Sequence, residues 1–307
     1  MSLNKRALDA AMRRVEAVIV GKQRKIQLAL ACFLAQGHLL IEDVPGVGKT
    51  TLAHVLARIL GLDFNRIQFT SDMLPSDILG GSLLQGGQGQ LQFIKGPVFT
   101  NIVLADEINR APPRSQSALL EAMEEHQVSM EGHTYELPKP FFVIATQNPR
   151  EQLGTFALPE SQLDRFHMRI RMGYPDEEAE RQLLAGGKRR KSINDIEPCL
   201  SAETVVALQA EVEEVHVSEA LLDYLQQVLK FTRNSQRFEV GLSPRAGLAL
   251  RHCAQAWAYI HGRDHVLPED VQQVLPHVVE HRLVAVGDGL GDEGNSIQAQ
   301  LSCIAIP

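Results

Sequence analysis

Between residues 38 and 146, short apolar runs bounded by turn residues alternate with stretches of helical period. The runs at 38–41, 64–69, 101–105 and 141–146 are apolar on both faces and too short for helices. That is the pattern of a parallel sheet covered by helices. Residues 23–36 place Ile26, Leu30, Phe33 and Leu34 along one helical face, which Gly37 is expected to close, and 49–60 reads as a helix stopped by Gly61. Two segments interrupt the alternation. Glycine-rich 83–99, and 127–137, which alternates on both sides of Glu131-Gly132, each predict an inserted β-hairpin. After Tyr174-Pro175 only helical period remains, over 176–185, 202–212, 218–231, 244–261 and 268–283. Pro268 falls near a helix start, where no N–H is needed. An α/β part over residues 1–174 followed by a smaller all-helical part over 175–307 is therefore expected.

Composition narrows the options. Of the 307 residues, 44% are hydrophobic and 22% charged, as in ordinary globular chains. The formal charge of −7 leaves no broad basic surface for a nucleic acid backbone. The four cysteines (Cys32, Cys199, Cys253, Cys303) never form a Cys-x-x-Cys pair, which fits thiols in a reducing cytosol better than a disulfide frame or a zinc site. No apolar run approaches the roughly 18 residues of a membrane span, and the amino terminus lacks a signal-peptide core. The expectation is a cytoplasmic protein without membrane insertion.

The chemistry concentrates at the ends of the apolar runs. Gly48-Lys49-Thr50 completes a phosphate-loop pattern whose first position is Asp43 in place of glycine. Pro45-Gly46-Val47-Gly48 can turn successive N–H groups onto an anion at a helix N-terminus. Lys49 would then reach the β- and γ-phosphates and the Thr50 hydroxyl would ligate Mg²⁺, with Thr51 beside it. The run 101–105 ends in Asp106-Glu107, two acids at the ligand-binding edge of a parallel sheet. Asp106 would hold the metal's water shell, and Glu107 would act as general base on the attacking water. The run 141–146 ends in Gln147-Asn148-Pro149. Asn148 either orients that water or starts an Asn-Pro turn. Loop, acid pair and polar strand end, in this order, indicate a nucleotide triphosphatase.

The segments "EDVPGVGKTTLA", "VLADEINRAPPRSQSALLEAMEE", "FFVIATQNP", "ALPESQLDRF" and "LSPRA" resemble the MoxR family of AAA+ ATPases over essentially the whole chain. The resemblance implies an α/β AAA+ P-loop core, the two hairpins as its insertions, and an all-helical lid. It also implies a homo-oligomeric, hexameric ring with ATP bound between subunits. Asn148 matches sensor 1, and Arg165 matches the arginine finger that reaches the neighbour's γ-phosphate. Arg245 matches sensor 2 at the start of a lid helix, so that the lid would touch phosphate and rotate as ATP becomes ADP. Val20-Gly21 matches the segment near adenine, and Arg110 and Arg114 are further candidates for the ring interface. A finger of this kind contributes roughly 10³–10⁵ in rate, about 4–7 kcal/mol of barrier. MoxR relatives are implied to act with von Willebrand factor A domain proteins on a client protein complex, as chaperone-like motors. Two alternatives stand beside that reading: a nucleic-acid-stimulated motor, and a slow nucleotide-dependent switch. The hairpin at 127–137 has no lysine or arginine, which weighs against the former.

Other features read as structural. The eleven histidines show no metal spacing, Trp257 lies in an apolar helix as a core anchor, Met123 and Met130 read as core filling, and the run 188–191 reads as a solvated linker. The tail after Val286 resists a reading.

Overall fold

A computed structural model describes residues 3–19, 21–85, 90–148, 154–184, 196–284, 286 and 301. Helices α1 (Leu3–Val18) and α2 (Gln23–Leu34) precede β1 (Leu39–Glu42), α3 (Lys49–Leu60) and β2 (Phe64–Gln68). The short α4 (Pro75–Leu79) leads into a hairpin of β3 (Gly80–Gln85) and β4 (Gln90–Lys95). Strand β5 (Ile102–Asp106) runs through a single 3₁₀ turn into α5 (Pro113–Glu125), then a second hairpin, β6 (Gln127–Met130) and β7 (His133–Glu136). After β8 (Phe142–Gln147) come α6 (Glu160–Leu163) and β9 (Met168–Ile170). Only helices follow among the described residues: α7 (Glu177–Leu184), α8 (Ala202–Glu213), α9 (Glu219–Asn234), α10 (Pro244–Ile260) and α11 (Pro268–Val279).

The main sheet is parallel throughout, in the order β2-β5-β8-β1-β9. Period two divides its side chains between two apolar clusters. Leu39, Ile41, Ile102, Leu104, Phe142 and Ile144 pack with α1, α2, α3 and the carboxyl-terminal helices. Leu40, Val103, Ala105, Val143 and Ala145 pack with α4 and α5 on the other face. Strands covered on both sides must read as continuous apolar runs, as 101–105 and 141–146 do. Trp257 is buried in the first cluster and Met123 in the second, and Met130 is half-buried.

Several expectations need correction. Strand β9 and helix α1 were not anticipated. In β9 an arginine, Arg169, interrupts the apolar pattern, and it is accommodated at the sheet edge by Glu42 at 3.1 Å and Glu280 at 3.3 Å. The run 64–69 is not apolar on both faces, because β2 is the opposite edge and exposes Asn65, Arg66 and Gln68. Gly37 does not close α2 by its own conformation. Gln36 takes the left-handed turn at φ 55°, whereas a Cβ on Gly37 would lie 2.2 Å from the His167 ring. Gly61 does close α3 as a left-handed cap at φ 66°. In the second hairpin Glu131 (φ 52°) and Gly132 (φ 79°) form the two-residue turn with both φ positive. Val20, the run 188–191 and most of the tail after Val286 lie outside the described residues.

Candidate active site

The register places the chemistry on one edge. Glu42 pairs with Gln147, Ala105 with Ala145 and Gln68 with Asp106, so β1, β8, β5 and β2 end side by side. Because β8 lies between β1 and β5, Asn148 emerges between the phosphate loop and the acid pair. Strands are about 4.8 Å apart, which puts the loop's origin about 10 Å from the end of β5.

The loop 43–48 leaves β1 and enters α3 through two left-handed glycines, Gly46 (φ 86°) and Gly48 (φ 94°). A Cβ at either would meet nothing within 4 Å, so both glycines are needed for conformation rather than for space. Lys49 Nζ donates to the Asp43 carbonyl at 2.7 Å, closing the loop on itself. Asp43 explains its own departure from glycine. Its carboxylate accepts from Val44 N at 2.8 Å and from Gly173 N at 2.6 Å. Lys22, next to Gly21 (φ 73°), donates to the carbonyls of Met172, Gly173 and Tyr174. Gly21, the phosphate loop and the segment leading to the helical part are thereby joined. Pro45, Val47, Thr50 and Thr51 complete the loop and the first turn of α3, with Val47 packed against the first apolar cluster.

The acid pair is oriented by neighbours. Thr146, fully buried on β8, donates from its hydroxyl to Asp106 Oδ1 at 2.6 Å and accepts from Glu107 N at 2.9 Å. The other carboxylate oxygen of Asp106 accepts from Arg66 Nη2 at 2.6 Å and Nε at 3.1 Å. Glu107 adopts φ 57°, a left-handed conformation costing about 1–3 kcal/mol for such a residue. Its carboxylate accepts from Gln68 Nε2 at 3.1 Å and pairs with Arg110 Nε at 2.9 Å. Asn148 is buried at the tip of β8. The hydroxyl of Thr50 and the carboxylate of Asp106 are hard oxygen donors, the set that suits Mg²⁺. The sequence reading missed Thr146, Arg66 and Gln68. Polar residues at alternate positions of the run 64–69 were the signal for the last two.

Arg165 and Arg245 lie elsewhere. Arg165 Nη2 is 2.9 Å from Glu124 Oε2, and Arg245 donates to Glu124 Oε1. Helix α5 carries Glu124 away from the acid pair, and its 13 residues span about 20 Å. At its far end the Met123 carbonyl faces His38 Nε2 at 3.0 Å, just ahead of β1 at the amino edge of the sheet. The two arginines are therefore together, on the edge opposite the phosphate loop of their own chain. Arg245, expected to bring the lid to a phosphate, is thus not beside the phosphate loop of its own chain. Arg114 is exposed at the start of α5.

Comparison with known proteins agrees with this architecture. Residues 38–168 match the model for the ATPase family associated with various cellular activities, and residues 230–301 match the AAA lid domain. The chain is 40% identical to Chaperone MoxR1 of Mycobacterium tuberculosis over 98% of its own length and 82% of the relative's. It is 46% identical to the uncharacterized protein YeaC of Bacillus subtilis over 90% of its length and 87% of that protein's. A crystal structure from Cytophaga hutchinsonii is similar with a TM-score of 0.87 at 36% identity, covering 98% of this chain and 95% of that one.

Proposed function

The chain belongs to the MoxR family of AAA+ ATPases and hydrolyses ATP, and from that premise we propose that hydrolysis takes place between protomers of a homo-oligomeric, hexameric ring and drives chaperone-like remodelling of a partner protein complex. The observation that carries this reading is the separation of its parts. Phosphate loop, acids and Asn148 share one edge, while Arg165 and Arg245 share the other. Such a chain completes its site only by meeting the opposite edge of a second copy.

In that arrangement the backbone N–H groups of residues 46–51 cradle the triphosphate, Lys49 turns from the Asp43 carbonyl to the β- and γ-phosphates, and Gly21 borders the base. Thr50 would hold a magnesium ion and Asp106 its water shell, and the ion when bound would neutralise phosphate charge. Glu107 takes a proton from the attacking water and Asn148 orients that water. Arg165 and Arg245 of the neighbour meet the charge that develops on the γ-phosphate. Residues 1–174 act as the nucleotide-binding core and 175–307 as the lid. The name of the mycobacterial relative supports the chaperone role, and the family resemblance supports von Willebrand factor A domain proteins as partners. Cys32, Cys199 and Cys253 are free, which supports a cytoplasmic setting.

Glu107→Gln should retain ATP binding, lose turnover and favour rings. Lys49→Ala should lose nucleotide affinity by calorimetry. Wild-type turnover in the first, or unchanged affinity in the second, rejects the corresponding role. A slow switch is the second reading, favoured by the hold of Gln68 and Arg110 on the Glu107 carboxylate. Slow release after one turnover, in a multiple-turnover assay at ring-forming concentrations, would select it.

A further inference from the structure

Two guanidinium groups brought together repel, yet Arg165 and Arg245 converge from separate parts of the chain. Arg165 follows α6 in the α/β part, and Arg245 lies in the first turn of α10. Their backbones are locked to each other. Ser243 caps α10 by accepting from Ala246 N at 3.0 Å, and its hydroxyl donates to the Asp164 carboxylate at 3.0 and 3.2 Å. Arg282 Nε donates to Asp164 Oδ1 at 2.7 Å, and its Nη2 donates to the carbonyls of Asp164 at 3.0 Å and Phe166 at 2.7 Å. The two arginines thus start from a rigid common base. Their tips meet on a third element, where each oxygen of the Glu124 carboxylate takes one of them.

We propose that Glu124 is a positioning residue for the interfacial reaction: it holds Arg165 and Arg245 side by side as one two-guanidinium receptor for the γ-phosphate of a neighbouring protomer. This rests on the interfacial reading above. One carboxylate between two guanidiniums leaves a net charge of +1. It cancels most of their mutual repulsion and keeps the cluster attractive to phosphate. The arginines remain 28% and 44% exposed, so their outward donors can be shared with an incoming anion. Arg165 Nε is buried without an acceptor among the described residues, so Glu124 alone does not satisfy this guanidinium. A fixed fork loses less freedom in the transition state than two independent side chains, and a displacement near 1 Å costs roughly 10²-fold in rate.

The test is steady-state hydrolysis by the assembled protein at saturating magnesium-ATP, with Glu124→Gln and Glu124→Asp compared with Arg165→Ala and Arg245→Ala. Glu124→Gln should lower kcat by roughly 10- to 10²-fold with ATP affinity unchanged, because the phosphate loop lies at the other edge. Glu124→Asp should recover part of the loss. Adding Arg165→Ala to Glu124→Gln should cost much less than it costs alone. A purely structural ion pair at this exposure would lower thermal stability slightly and leave kcat and that non-additivity unmoved. Wild-type or raised kcat in Glu124→Gln while Arg165→Ala is impaired overturns the positioning role and leaves the interfacial reading standing. Wild-type kcat in both arginine variants overturns both.

Discussion

Thr146 shows how much a single hydroxyl can decide. It is fully buried, donates to Asp106 and accepts from the backbone N–H of Glu107, whose left-handed conformation needs such a hold. Thr146→Val keeps the shape and removes both bonds, leaving a buried carboxylate oxygen and a partly buried N–H without that partner. A loss of about 1–3 kcal/mol of stability is expected. A larger effect on kcat than on ATP affinity should accompany it, because Glu107, the proposed base, and not the phosphate loop is displaced. Thermal unfolding, calorimetry and turnover on the same preparation check all three. Arg66 and Gln68 act on the same acids from β2, but their side chains are at the surface, where pairs are worth less.

At the scale of elements, the junction between the sheet and the helical part is held by residues that carry no motif. Arg282 is nearly buried and binds Asp164 together with the carbonyls of Phe166, His167 and Val278. Arg282→Ala removes the guanidinium from the Asp164 carboxylate and should destabilise the fold by about 3–5 kcal/mol, read by urea unfolding. Because Asp164 also anchors Ser243 at the start of α10, the same variant should weaken turnover without touching nucleotide affinity. Much of the fold was legible before any coordinates, for physical reasons. Strands buried on both faces read as unbroken apolar runs, and glycines at strand-to-helix turns mark the phosphate loop. β9 and β2 were misread or missed because edge strands mix polar and apolar positions. Glu124 and Arg282 were invisible for a different reason. Their partners lie 41 and 121 residues away for Glu124 and 118 residues away for Arg282, and spacing along a chain does not report such pairs.

For the whole molecule, the buried histidines set a limit in acid. Burial lowers His38 and His277 to about 4 and His167 to about 3, against an ordinary value of 6.5. In His38 the geometry requires the neutral ring, since Nδ1 accepts from Val143 N and Nε2 donates to the Met123 carbonyl. The unfolded chain takes up these protons first as pH falls through 6.5. The stability that the neutral rings contribute is therefore complete above 6.5 and is lost towards pH 4. Each such group changes stability by about 1.4 kcal/mol per pH unit in that window, and a typical domain holds only about 5–15 kcal/mol. Thermal midpoints should be flat from pH 8 to 7 and fall steeply between 6 and 5, and a flat profile to pH 4.5 would reject buried neutral histidines. The same whole-molecule view leads to the proposal that hydrolysis needs a neighbour, since the residues assigned to one site occupy opposite edges of one chain. Mixing two inactive variants measures this most directly: Glu107→Gln, with intact arginines and no base, and Arg165→Ala/Arg245→Ala, with an intact nucleotide edge and no arginines. Each alone should be nearly inert, and the mixture should recover turnover at interfaces where an intact nucleotide edge faces intact arginines. A mixture that stays as inert as its components, or a double-arginine variant that hydrolyses ATP at the wild-type rate alone, would contradict the account.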